Sequence, residues 1–151
     1  MFLAEAIKEK DFIENEICSL RDHIVNISVD ADKTDLRSLN ASIKRRFDEL
    51  SALYKKYQQF SVSVDRAKAN AFIELQSANN AKLSLADAFI LKTCLLHRLN
   101  SLKHIYDAAS QMDRPSVDLE YVYTEMESVK LDIKAIDPEV DYAVWATEVV
   151  Y

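Results

Sequence analysis

The sequence predicts an all-α fold, an antiparallel helical bundle with long, coiled-coil-like helices. Three observations predict it. The chain has 151 residues and no glycine, where average usage of about 7% would supply roughly ten. Glycine provides positive-φ turns, bulges and close backbone approach to ligands, so a chain without it has given up most tight hairpins. Apolar residues recur at alternating spacings of three and four over most of the length, a heptad seam rather than the period of two that marks a strand. The two prolines, Pro115 and Pro138, fall near the expected ends of helices.

The first helix is expected at about 2–27. Leu3, Ala6, Lys10, Ile13, Ile17, Leu20, Ile24 and Ile27 form its seam, with Lys10 the polar member. A polar break follows at Val29 to Lys33, and Asp32, Thr34 or Asp35 can cap the next helix. That second helix is expected at about 35–67. Its seam is Leu36, Leu39, Ile43, Arg46, Leu50, Leu53, Tyr57, Phe60, Val64 and Ala67, with Arg46 polar and Phe47 and Tyr54 widening the stripe. At about 1.5 Å per residue it would be near 50 Å long, longer than a domain of this size is wide, so it kinks or projects to meet another subunit.

Residues 69–83 are the least regular, with Ser77-Ala78-Asn79-Asn80 reading as a turn, and a loop is the favoured reading. The third helix is expected at about 84–112. Ser84 followed by Asp87 approximates a capping box. Apolar residues cover more than half of its circumference, which makes it the expected central, most buried helix. A fourth helix at about 116–136, capped by Ser116 or Asp118, repeats Leu119, Val122, Met126, Val129, Ile133 and Ile136. Asp137-Pro138-Glu139 then reads as a fresh helix start, with Pro in the first helical position, opening a short helix at 138–147. The whole chain, 1–151, is expected to form a single helical domain of ordinary soluble composition.

Composition excludes several functions. The formal net charge is −6, which argues against general nucleic-acid binding, whose footprint is a basic surface. No uncharged apolar run approaches the length of a membrane span. Met1 leads straight into an acidic amphipathic segment rather than a secretory signal, and the expected location is the cytoplasm. The absence of glycine removes the P-loop, the dinucleotide fingerprint, the nucleophile elbow and the EF-hand. None of His23, His97 and His104 has Glu three residues before it; positions 20, 94 and 101 are Leu, Cys and Ser, so a carboxylate-bridged di-iron centre is not expected. Cys94, His97 and His104 lie roughly on one side of a helix, but the two histidines are about 10 Å apart, so no metal site, cofactor or catalytic set is expected. Cys18 and Cys94 are expected as buried thiols. A hydrolase using His97 or His104 is a minor alternative.

Lys10, Arg46 and Lys92 stand on or beside seam positions otherwise filled by apolar residues. They either fix register and snorkel to the bundle edge, or converge with Tyr54 and Tyr57 on an anion pocket, supported by the run Lys44-Arg45-Arg46. Tyr121, Tyr123, Tyr142, Tyr151 and Trp145 cluster late in the chain, as aromatic residues do at interfaces. The expected function is a non-enzymatic, self-associating structural or interaction module, a homo-oligomer. The alternative is an oligomeric binder of a small anionic ligand such as a nucleotide.

Phe2-Leu3-Ala4-Glu5-Ala6-Ile7 with Ile13, Ile17, Leu20 and Arg21, the helix start Leu83-Ser84-Leu85-Ala86-Asp87-Ala88, and Ala135-Ile136-Asp137 through Val144-Trp145-Ala146-Thr147-Glu148 together resemble the septicolysin-like family of small all-helical bacterial proteins. Asp141 and Val144 stand where the family pattern has Gln and Asn. Its Glu-Gly after the first helix is absent, and Asn70 is the remnant of its Asn-rich turn. The resemblance implies an all-helical fold. The family name implies a pore-forming toxin, but the family supplies no catalytic residues to transfer, and this sequence has no membrane-inserting segment.

Overall fold

The computed structural model describes residues 1–29, 36–75 and 81–150. Its elements run α1 (Leu3–Val29), α2 (Leu36–Asn70), β1 (Phe72–Leu75), β2 (Ala81–Ser84), α3 (Leu85–Ser110) and α4 (Leu119–Ala146). The fold is all-α, with one two-stranded antiparallel sheet. Within the described chain, Met1–Ala67 with Glu148–Tyr151 is one compact unit and Lys68–Thr147 the other.

In the first unit, α1 opens with half of a capping box: the Phe2 N–H donates to Glu5 Oε2 at 2.8 Å, satisfying a donor that the helix itself cannot. Its seam residues Leu3, Ala6, Ile13, Ile17 and Ile24 are buried, while Lys10 and Leu20 are half-buried. Helix α2 is continuous for 35 residues, about 52 Å at the usual rise. Its seam is mostly half-buried, with Leu39 and Val64 fully inside. The expected caps Asp32, Thr34 and Asp35 lie outside the described residues. The two ends of the chain meet in this unit. Phe2 and Glu148 form an antiparallel bridge, and the Val149 N–H donates to the Met1 carbonyl at 2.9 Å.

In the second unit, α3 and α4 pack antiparallel. As α3 runs from Lys92 through Arg98 to Tyr106, its partners run back along α4 from Asp137 through Glu125 to Tyr123. Between them Leu99, Val122, Met126 and Val129 form a buried cluster, with Leu95, Leu102, Tyr106 and Ile133 against it. The expected caps hold. Ser84 accepts from the Asp87 N–H at 3.1 Å, and Asp118 Oδ1 accepts from the Glu120 and Tyr121 N–H groups at 3.0 and 3.3 Å.

Three expectations are corrected here. Residues 69–83 are not simply a loop: β1 and β2 pair in register, Phe72 with Ser84 through Leu75 with Ala81. Ile73 and Leu75 point inward while Phe72 and Glu74 point out, the alternation of a half-buried strand. The Leu85 N–H continues the ladder by donating to the Ala71 carbonyl at 2.7 Å. The expected turn at Ser77–Asn80 lies outside the described residues. Second, α3 is not the most buried helix. It buries Leu85, Ala88, Leu99 and Ala109, whereas α4 buries Val122, Met126, Val129, Ile136, Val140 and Ala143; Ile90, Leu91, Leu96 and Ile105 of α3 are exposed. Third, Pro138 does not start a new helix. It sits inside a continuous α4, because Ile136, Val140 and Ala143 prolong the buried stripe of Val122, Met126 and Val129 at the same spacing. Burying that stripe outweighs the hydrogen bond that Pro138 cannot donate.

Candidate functional site

The two long helices of the first unit enclose an open groove of about 690 Å³. Phe12 and Leu20 of α1 and Ala52 and Leu53 of α2 give it an apolar floor, and Glu16, Glu49 and Lys56 stand among them. Two helices alone cannot cover both of their apolar stripes, and the groove is where the coverage stops. Its carboxylates oppose an anion.

The structure brings Lys10 and Tyr57 together: the Lys10 ammonium lies 5.7 Å from the Tyr57 ring centroid, within reach of a cation–π attraction. Arg46 stands about three turns further back along α2, roughly 16 Å away, and its Nη1 donates to Glu49 Oε2 at 3.1 Å. Its Nε is buried with no hydrogen-bond partner. Tyr54 is exposed on the outer side of α2. Lys92 belongs to the second unit, where its ammonium approaches Asp137 Oδ1 at 2.7 Å. That approach is charge to charge without hydrogen-bond alignment, since Oδ1 has no aligned donor. The five residues are therefore distributed between Lys10 with Tyr57, Arg46 with Glu49, an outward Tyr54, and Lys92 with Asp137.

The thiols depart from expectation, with Cys18 half-buried and Cys94 exposed. Helix α3 turns Cys94 outward because the α4-facing positions go to Leu95, Leu99 and Leu102. His97 and His104 are exposed on α3 as well. Among the described residues no group of three His, Cys, Asp or Glu side chains is placed to hold a metal ion, and no helix is long and apolar enough to cross a membrane.

A feature that the sequence reading passed over is on α4. Opposite its buried stripe, Tyr121, Thr124, Ser128, Leu131, Ala135, Pro138, Tyr142 and Trp145 repeat at three and four, and every one is exposed. None carries a charge. Leu131 is 66% and Tyr142 76% exposed. A second uncharged outward row, Phe47, Ser51, Tyr54, Gln58 and Val62, runs along α2, beside shallow hollows at Ser51–Gln58 and Gln58–Ser63. Solvated helix faces usually carry charge at such positions, and uncharged outward rows with aromatic residues mark contact surfaces. The signal was legible in principle, as eight successive seam-spaced positions without Asp, Glu, Lys or Arg. No family model, curated protein or solved structure matches the chain.

Proposed function

We propose that this protein is a non-enzymatic interaction module that self-associates through the outward faces of its long helices. The observation that carries the reading is the uncharged row from Tyr121 to Trp145 on α4, exposed along its full length. Large apolar side chains such as Leu131 gain about 1.5–3 kcal/mol each when such a row is fully covered, and the helix beneath is already held rigid by its buried side, so little ordering opposes the contact. The likeness to septicolysin-like proteins contributes no site residue to this reading. Light scattering over a concentration series tests it. The mass is expected to rise above the 17.3 kDa of one chain by high micromolar concentration; a constant single-chain mass would overturn the proposal.

The buried, unbonded Nε of Arg46 favours a second reading, a site for a small anion at that guanidinium. Phosphate or a nucleotide is then expected to raise the melting temperature of the wild type and not of Arg46→Gln, because binding to the folded state alone stabilises it. Flat melting temperatures across both ligands would remove this reading.

A further inference from the structure

We propose that the outward row of α4 docks on the outward row of α2 in a second copy of this chain. This rests on the self-association reading and names the two surfaces that meet.

The charges beside the α4 row select the partner. One residue before or after its alternate positions stand Glu120, Glu127 and Asp141 on one edge and Glu125, Asp132 and Glu139 on the other, with Lys134 the cation at these positions. Lys130 bridges Glu127 and Arg98 bridges Glu125, so the acidic character of the edges rests on Glu120, Asp141, Asp132 and Glu139. Two α4 rows brought face to face would set carboxylate against carboxylate in either orientation, and like charges juxtaposed in this way reject a partner. The occupant must instead be an uncharged helical row with a basic edge.

Helix α2 is that helix. It carries eight Lys and Arg against three Asp and Glu, whereas α4 carries two Lys against seven Asp and Glu. On the outward side of α2, Lys44 and Lys55 are exposed along one edge of the row Phe47, Ser51, Tyr54 and Gln58, with Asp48 and Asp65 as the opposing charges. The α4 row spans about 36 Å and the α2 row about 22 Å at the usual rise, so the α2 row can cover roughly two thirds of the α4 row. The shallow hollow bordered by Ser51, Tyr54, Lys55 and Gln58 gives an aromatic side chain of α4 a place to seat, with Lys55 at its rim for an acid. The two surfaces are different, so in a head-to-tail assembly one free face of each kind remains at its two ends until a ring closes.

A charge exchange tests this. One variant carries Asp132→Lys and Glu139→Lys, the other Lys44→Glu and Lys55→Glu. All four side chains are exposed, so both variants are expected to keep the helical circular dichroism of the wild type. By sedimentation equilibrium each variant alone is expected to dissociate at least roughly tenfold more readily than the wild type. An equimolar mixture is expected to recover association, since the reversed α4 of one then meets the reversed α2 of the other. If the wild type associates and either variant alone associates as well as it does, or the mixture recovers nothing, the α4-to-α2 pairing is wrong while self-association stands. A wild type that stays a single chain overturns both. Leu131→Glu gives a further check that leaves edge charges alone: it is expected to weaken association, and unchanged association would also overturn the pairing.

Discussion

Val129→Asp is expected to remove a large share of the protein's stability at neutral pH. Val129 is 1% exposed, in a cluster with Leu99, Val122 and Met126, and no described basic side chain is part of that cluster. The substitution gives up the apolar burial of the valine and forces a carboxylate out of water with nothing to pair it, a combination that costs about 4–5 kcal/mol or more. Domains of this size hold roughly 5–15 kcal/mol in all. Val129→Ala is the control, losing about 2 kcal/mol from two methyl groups and the space they leave. The introduced carboxyl also sets a pH dependence. Burial raises its folded-state pKa above the unfolded value, so the ionisation deficit is complete above the folded value, shrinks as the pH falls from the folded towards the unfolded value, and is gone below the unfolded one, where the cost of burying a neutral carboxyl in place of valine remains. Urea titrations followed at helical wavelengths at acid and neutral pH measure both effects. A loss no larger than that of Val129→Ala at neutral pH would mean that the α3–α4 interface is open to water there.

Pro138→Ala is expected to stabilise the protein by about 1–3 kcal/mol. An interior proline costs a helix about 3 kcal/mol relative to alanine, and part of that is offset because proline also restricts the unfolded chain. Pro138 is exposed, so the change disturbs no core packing and lets the position donate to the Lys134 carbonyl. Thermal and urea unfolding would show the gain. A loss instead would mean that Pro138 is needed as a helix start and that α4 is two helices, as the local sequence alone implies.

That contrast shows where the sequence is legible. The seams of α1 and α2 and the caps at Ser84 and Asp118 were readable because each signal lies within a few residues of what it specifies. Asp137-Pro138-Glu139 is also a good local signal, but the alignment of Ile136, Val140 and Ala143 with Val129 is a fact about packing and outvotes it. The pairing of β1 with β2 is not legible because four residues per strand are too few for a period of two to stand out. At the site, Lys10, Arg46 and Lys92 are conspicuous as charges in apolar seams; Glu49, three residues from Arg46, is a partner that helical spacing offers, whereas Asp137 lies far along the chain from Lys92 and Tyr57 far from Lys10, so those pairings come from packing. Of the α4 row, Tyr121, Tyr142 and Trp145 stand out in the sequence as aromatic residues, whereas Thr124, Ser128 and Ala135 attract no attention singly; what distinguishes them is the charge that is missing.

The meeting of the chain ends has a mechanical consequence. Met1 and Val149 are hydrogen-bonded beside the antiparallel bridge of Phe2 and Glu148, so both ends leave from the same end of that short ladder. Tension applied between them peels its bonds one after another instead of loading them together in shear. The fastening therefore yields at low force, and the load passes next to the first turn of α1 and the last turn of α4 before it reaches either core.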